Sequence, residues 1–396
     1  MNKLNHVFDL FRISTNFWFK KESCSYFPIR LWIEVSSRCN LSCRFCVNKN
    51  LSACEKGDME VSLYKKIIDE VTGKVHDVNL FHRGEPLLNK NIIPMIAYAN
   101  KKGVKTRIHT NATLMDREID RKMIMAGLDL ISFSFDGFTK EEYEKNRTGA
   151  IFEKSLANII DFLEVKKDLK SKKPYTIIQV IQDGEALFCK ETPEHKGVKH
   201  KGVEQKSAEQ EKAFLENFKG LPLDKIVVRK PHNWGGLLTI DKINNEITEA
   251  EKAEEEAEAK PEVETEVKAE VKKEAKAGIK TEIEAEIETK EGTGIKKYAC
   301  CTFPWYSLTV FYDGRVFLCP QDFEGKIYLG DAGREKIEEI FNGAVIRDMR
   351  KRFGYGRIDK IDNIIPCRDC DRIRRKTFMG IPLEYLKIFL RDNLME

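Results

Sequence analysis

Nowhere does the sequence reach the roughly 18 consecutive apolar residues that a membrane-spanning helix needs, so no transmembrane segment is expected. The first 21 residues are aromatic and amphipathic, but no small-residue cleavage site follows them, which argues against a secretory signal. Lysines and arginines are many, yet no nucleic-acid-binding motif is interleaved with them, and a nucleic-acid partner is not expected. Two further absences concern cysteine. The first cysteine group has no neighbouring histidine or fourth cysteine, and no cysteine follows Cys370. Together these point to a soluble chain in a reducing, cytoplasmic compartment whose cysteines are ligands rather than disulfide partners. The N-terminal segment is expected to pack on the body of the protein rather than to rest on a membrane.

At 396 residues the chain exceeds one average domain, and one large domain with a smaller companion is the first expectation. Charge is unevenly spread. Between Asp241 and Lys297 there are 18 acidic and 11 basic residues, a net of −7, so against a total of +4 the remainder carries about +11. Such a modestly basic body suits an anionic substrate, although scattered surface lysines give the same count. Within that segment, Glu249 to Glu291 is a Glu/Lys/Ala/Val low-complexity run with too little apolar surface to form a core. It reads as a solvated insertion between two domains.

Six strand-like runs alternate with helix-like segments: Arg30 to Ser36, Asp77 to His82, Lys105 to Thr110, Asp129 to Phe135, Tyr175 to Ile181 and Lys225 to Arg229. Helices are expected over Leu63 to Val71, Ile92 to Lys102, Asp116 to Ala126, Phe152 to Lys167 and Ala208 to Phe218, with a surface loop over Lys190 to Lys206. Asp116 is placed to cap the helix that it opens, and Gly103 and Gly127 to end theirs. Strict β/α alternation implies a parallel sheet with helices outside, here an α/β partial (β/α)6 TIM-like barrel. Its functional groups should lie at the C-terminal ends of the strands.

The first strand runs into Cys39-x3-Cys43-x2-Cys46, three potential thiolates within eight residues. A closed zinc site takes four protein ligands, whereas a [4Fe-4S] cluster held by three thiolates keeps one iron open. A zinc knuckle completed by a distant ligand remains the alternative. Placed after a strand, this spacing resembles the radical S-adenosylmethionine (SAM) superfamily, in which SAM chelates the open iron and is cleaved to methionine and a 5'-deoxyadenosyl radical. Phe45 matches the aromatic residue that the family carries before its last cysteine. His82-Arg83-Gly84-Glu85-Pro86 is similar to the family's glycine-glutamate motif, which implies that Gly84 and Glu85 hold the SAM amino group. By the same resemblance Thr110 and Asn111 stand near the ribose, Ser134 and Asp136 end a recurrent fourth-strand stretch, and Arg147 binds the SAM carboxylate. Val180 or Gln182 would face the adenine.

A second constellation begins with Cys301-x2-Pro304-Trp305 and passes a hairpin at Asp313-Gly314 to Cys319, in a G-x4-C arrangement, and then to Cys367-x2-Cys370. These residues resemble the SPASM/twitch extension, which binds an auxiliary [4Fe-4S] cluster. Cys301, Cys319, Cys367 and Cys370 are then its ligands, Cys301 being preferred to Cys300 for its C-x2-P-W context. With no cysteine after Cys370, the shorter twitch form with one auxiliary cluster is implied. A four-cysteine zinc ribbon is the alternative. The expected organisation is an amphipathic extension (1–29), the barrel (30–240), the charged insertion (241–297), the auxiliary domain (298–376) and a C-terminal helix (377–396).

The resemblance implies an enzyme with a flavodoxin- or ferredoxin-type reductant that abstracts a hydrogen atom from its substrate. An auxiliary cluster that accepts the substrate's electron favours a two-electron oxidation, and only 38 residues precede Cys39 and the cysteine triad that it opens, which favours a small carbohydrate-like substrate over a peptide. Epimerisation quenched by a thiol is a second reading, for which Cys24, Cys54, Cys189 and Cys300 are left over; peptide or protein maturation is a third. An electron carrier would need no SAM-binding motif. Composition alone generates one test. Deleting Glu249 to Glu291 is expected to leave soluble yield and iron content per chain unchanged, and a large fall in either would show the segment to be structural.

Overall fold

The computed structural model describes residues 3–181, 201–229, 231, 233–238, 301–354, 364–370, 377–378 and 381–382, with the backbone alone at 3–6, 201–208, 377–378 and 381–382. The chain divides into two units, Met1–Thr239 with Tyr298–Glu396, and Ile240–Lys297. All of the second unit, and with it the charged insertion, lies outside the described residues, as do Gln182, Cys189 and Cys300.

Six parallel strands form the barrel wall: β1 (Arg30–Ile33), β2 (Asp77–Asn79), β3 (Lys105–Thr110), β4 (Leu130–Ser134), β5 (Tyr175–Ile181) and β6 (Lys225–Arg229), in that spatial order. Each falls inside its expected run. Neighbours in register share a face of the sheet, and the two faces differ in chemistry. One carries Leu31, Ile33, Val78, Ile108, Ile131, Phe133 and Ile178, all fully buried in the main core. Helices α2 (Val61–Val71), α3 (Ile92–Lys101), α4 (Arg117–Met125) and α6 (Phe152–Asp168) pack there through residues such as Ile67, Ile96, Met123 and Ile159. The opposite face, lining the concave interior, is largely polar. Val180 is fully buried in the core and so points away from the interior, which removes it from the adenine region.

Local signals explain the helix ends. The Asp116 carboxylate accepts the Ile119 N–H at 2.7 Å, and Gly103 and Gly127 adopt left-handed φ of 71° and 86° past α3 and α4. A short helix, α5 (Lys140–Asn146), was not expected; Thr139 caps it and Tyr143 anchors it by stacking on Phe135 at 4.2 Å. Helix α7 spans Lys201–Glu216, so residues 201–206 are helical where a loop was expected. Val203 is the one apolar side chain among those six, too few to show a helical period, and Phe214, with Phe218 just past the helix, is buried in the core.

The C-terminal part does not stand apart. Strand β7 (Ser307–Val310) pairs in parallel with β1, in register from Arg30↔Ser307 to Ile33↔Val310, and extends the barrel sheet. Strands β8 (Arg315–Phe317) and β9 (Tyr328–Asp331) continue it antiparallel, giving nine strands in one sheet. The Asp313-Gly314 turn joins β7 to β8 as expected, with Gly314 at φ 95°. Helix α1 (Lys3–Trp18) packs Phe17 edge-on against the buried Trp305 at 5.3 Å, next to the N-terminal end of β7. The buried Arg350 ties this region together by donating to the carbonyls of Pro304, Glu22 and Phe341 at 2.7–2.9 Å. Residues 377–378 and 381–382, where a helix was expected, form two short antiparallel strands, β10 (Thr377–Phe378) and β11 (Ile381–Pro382), and the rest of that expected helix lies outside the described residues. Thr377, Ile381 and Pro382 suit extended backbone.

Candidate active site

Between β1 and α2 the chain is irregular, with two single helical turns, Asn48–Asn50 and Ala53–Glu55. Its shape is therefore set by what it is bonded to. On one side the Ser42 and Arg44 N–H groups donate to the carbonyls of Thr148 (3.0 Å) and Asn146 (2.9 Å). On the other, the Asn48 amide donates to the carbonyls of Ser37 (2.8 Å) and Arg83 (2.7 Å), and the Glu85 N–H donates to the Arg38 carbonyl at 2.7 Å. Gly84 is required by this seam. A Cβ there would stand 2.3 Å from the Arg38 carbonyl oxygen and 2.6 Å from that of Ser36. The seam gathers Cys39, Cys43 and Cys46, half-buried and free of disulfides, with Glu85 and Arg147.

Burial pushes the Cys39 thiol up to about 11 and the Cys46 thiol up to about 12, and the Cys43 thiol rises with them, Cys43 also opposing ionisation of the other two. Left to themselves the three would stay protonated at neutral pH. A bound cationic cluster reverses that, since a coordinating thiol is deprotonated outright. The donor set therefore fits a cluster held by three thiolates with one iron left open.

The Glu85 carboxylate is buried at the end of β2. It accepts from the Thr110 hydroxyl (2.8 Å), the Asn111 N–H (2.7 Å) and the Leu87 N–H (3.2 Å). Burial raises its pKa against the pull of these donors. Lone pairs remain on it for an ammonium group. Asn111 also reaches into the cysteine loop, its amide donating to the Asn40 side chain at 2.9 Å. Arg147 forms an ion pair with Asp136 at 2.8 Å, its Nη1 stands 4.0 Å from the Cys43 sulfur, and its buried Nε has no acceptor among the described residues. That orphaned donor beside the cysteines is where a carboxylate group would be held. Phe45 is buried with the Arg44 guanidinium 5.1 Å from its ring centroid, and Ser134 sits on the inner face in register with Gln179. Each residue placed near SAM by sequence thus lies around the barrel mouth, apart from Val180, with Gln182 outside the described residues.

Cys301, Cys319, Cys367 and Cys370 line one cavity together with Phe303 and Phe353. Burial carries the Cys319 and Cys367 thiols well above their ordinary value, and the neighbouring cysteines add to it. Among the described residues no three His, Cys, Asp or Glu side chains converge closely enough to hold a single ion; the four cysteines surround a shared space instead.

Four residues to which the sequence assigned no role, Trp234, Gly235, His82 and Arg83, connect the surroundings of the two cysteine sets. Trp234 donates its indole N–H to the Phe45 carbonyl at 3.1 Å and packs edge-on against Phe323 at 5.2 Å. Gly235, at φ 67°, closes against Pro366, whose Cβ a side chain would overlap at 2.2 Å. The dense Asn-Trp-Gly-Gly run at 233–236 was the available signal. His82 shares a 2.9 Å hydrogen bond with the Pro320 carbonyl, next to Cys319, and burial pushes its pKa down to about 3, so the ring is neutral. Arg83 is held by Glu34 through two bonds of 2.7 and 2.9 Å while its guanidinium lies 3.7 Å from the Phe311 ring centroid.

Comparison with known proteins gives two family matches: the radical SAM superfamily over residues 33–183 and an iron–sulfur cluster-binding domain, SPASM, over residues 300–371. The chain is 33% identical over 120 residues to Fe-coproporphyrin III synthase from Methanosarcina barkeri, covering 30% of each chain. It is also 33% identical over 109 residues to a tungsten-containing aldehyde ferredoxin oxidoreductase cofactor-modifying protein from Pyrococcus furiosus, covering 27% of this chain and 30% of that one. The matched segment thus spans under a third of the length of these curated relatives. Among solved structures, Streptococcus suis SuiB bound to its precursor peptide SuiA superposes with a TM-score of 0.51 at 14% identity, covering 83% of this chain and 68% of SuiB, a likeness of fold.

Anaerobically reconstituted protein is expected to hold about eight irons, two clusters of four. Replacing Cys39, Cys43 and Cys46 together by alanine should remove about half of that iron. Zinc recovered at the second cysteine set would contradict the assignment.

Proposed function

The chain belongs to the radical SAM superfamily and carries a SPASM auxiliary-cluster domain, and from that premise we propose that it oxidises a small, carbohydrate-like substrate by two electrons. When bound, the first cluster supplies an electron that cleaves SAM to a hydrogen-abstracting radical, and the second supplies an acceptor for the electron left on the substrate. The protein's own residues do the rest. Cys39, Cys43 and Cys46 hold the first cluster at the barrel mouth. Glu85, fixed by Thr110 and Asn111, receives the SAM ammonium group, and Arg147, oriented by Asp136, receives its carboxylate. The substrate loses a hydrogen atom, then an electron and a proton, so the product is lighter by two hydrogens and one SAM is consumed per turnover.

One observation carries this reading: the cysteine loop is bonded on one side to the Gly84-Glu85 turn and on the other to the Arg147 segment, so that cluster ligands and both SAM-binding groups share one place. Connection of that place to the auxiliary cysteines through His82 and Trp234 supports an electron acceptor close to the substrate. Within the first unit only Cys24 and Cys54 are described besides the seven expected ligands, and neither favours a hydrogen donor at the mouth. Cys24 is buried beside Tyr26 and Arg350, and Cys54 is exposed beside Ser52.

A panel of polyols and amino sugars, incubated with the reduced enzyme and SAM in D2O, tests the outcome. The expected product has lost two hydrogens, carries no deuterium at the oxidised carbon and matches 5'-deoxyadenosine one to one. A product of unchanged mass apart from one incorporated deuterium would make the enzyme an epimerase.

A further inference from the structure

The inner face of the barrel is built for an anion. Arg30, Asp77, Arg107, His109, Ser132 and Arg229 all fall on the polar face by register: Arg30↔Asp77 on β1 and β2, Asn79↔Arg107 on β2 and β3, His109↔Ser132 on β3 and β4, and Ile181↔Arg229 on β5 and β6. One carboxylate serves two guanidiniums on the floor, Asp77 pairing with Arg30 and with Arg107 at 3.0 Å. Burial alone would raise the Asp77 carboxyl, but the Arg107 and Arg30 charges outweigh it and hold it well below the usual carboxylate range. The Arg107 charge also reaches His109 on the same face.

Arg229 ends β6, at the rim where the strands' C-terminal ends lie, and among the described residues no carboxylate pairs with it. Its charge is felt across the interior by His109 on β3, whose ring stacks on Phe81 at 3.9 Å and 13°. Burial, with Arg229 and Arg107 opposing a further positive charge, pushes His109 down to about 3, so the ring is neutral and can donate one hydrogen bond. Next to it in register is Ser132, 1% exposed, whose hydroxyl has no partner among the described residues. An orphaned buried hydroxyl, a neutral imidazole and an unpaired guanidinium on one concave face lack one thing, a group that accepts hydrogen bonds and carries negative charge.

We propose that the substrate bears an oxyanion, a carboxylate or a phosphate, held inside the barrel by Arg229 with His109 and Ser132 as hydrogen-bond partners. This names the substrate class of the site proposed above and rests on that reading: the carbohydrate-like substrate is an acidic or phosphorylated one. Arg107 is engaged by Asp77 and is not assigned to the anion.

The test is calorimetric titration of the reconstituted full chain, with SAM present, using inorganic phosphate in one arm and sodium acetate in the other. Saturable binding of phosphate alone assigns a phosphorylated substrate; binding of acetate as well assigns a carboxylate. In either case Arg229→Gln should weaken binding about tenfold, as loss of a charge-assisted hydrogen bond implies, and Arg229→Lys by less. If neither anion saturates the wild-type protein, or if Arg229→Gln binds as tightly as wild type, the proposal is overturned. SAM cleavage by the wild-type sample is scored in the same preparation. Cleavage without anion binding sinks the anion site alone, whereas anion binding without cleavage sinks the catalytic reading alone.

Discussion

An irregular loop has to hold three cysteines in fixed positions, and between Cys39 and Cys46 the backbone hydrogen bond internal to the stretch is that of the Cys46 N–H to the Cys43 carbonyl at 3.2 Å. Its order is borrowed. The approach of the Gly84-Glu85 turn to the Ser36 and Arg38 carbonyls leaves no room for a side chain, and Asn48 closes the same seam by bonding to both strands of it. Because Glu85 is one residue from that contact, the position of its carboxylate and that of the cysteines are set by a single piece of packing. Opposite, the Asn146 and Thr148 carbonyls fix the loop to the segment that carries Arg147. Any change that opens the seam would move both halves of the site at once.

The auxiliary region depends on the same seam from below. Arg83, the residue before Gly84, is clamped by Glu34 and capped by Phe311 of the loop after β7. The pair is buried, with side chains 2% and 0% exposed, and removing one partner of such a pair typically costs about 3–5 kcal/mol through the charge left behind. With β7 paired in parallel to β1, the C-terminal part is a continuation of the barrel sheet, and its cysteines are located relative to the first three by sheet geometry rather than by a linker. His82 and Trp234 add polar and aromatic contacts along the same route.

Much of this was legible in the residues. Alternation of apolar runs marked six strands, because β1 to β5 each have one face wholly buried and β6 pairs with β5 through Ile226 and Val228, and Asp116, Gly103 and Gly127 marked helix ends through local chemistry. The cysteine spacing and Gly84-Glu85 marked the mouth. What escaped had non-local causes. Pairing of β7 with β1 joins residues nearly 280 apart and leaves no periodic trace. Residues 201–206 (Lys-Gly-Val-Glu-Gln-Lys) hold a single apolar side chain, Val203, beside a glycine, and 377–382 carry too few residues in each strand to show a period. The polarity of the inner strand faces was hidden among scattered charges, since Arg107 and Arg229 look like any other surface arginines until the register places them inward. Trp234 sits outside every matched motif, and only its contacts to Phe45 and Phe323 give it a role.

The central claim is that Cys39, Cys43 and Cys46 carry a cluster with an open iron beside Glu85 and Arg147. Low-temperature electron paramagnetic resonance of the dithionite-reduced, reconstituted chain, recorded before and after SAM is added, addresses it directly. SAM should shift the signal of one cluster and leave the other unchanged, and Glu85→Ala should require far more SAM for the same shift. Two cluster signals that are both indifferent to saturating SAM would contradict it.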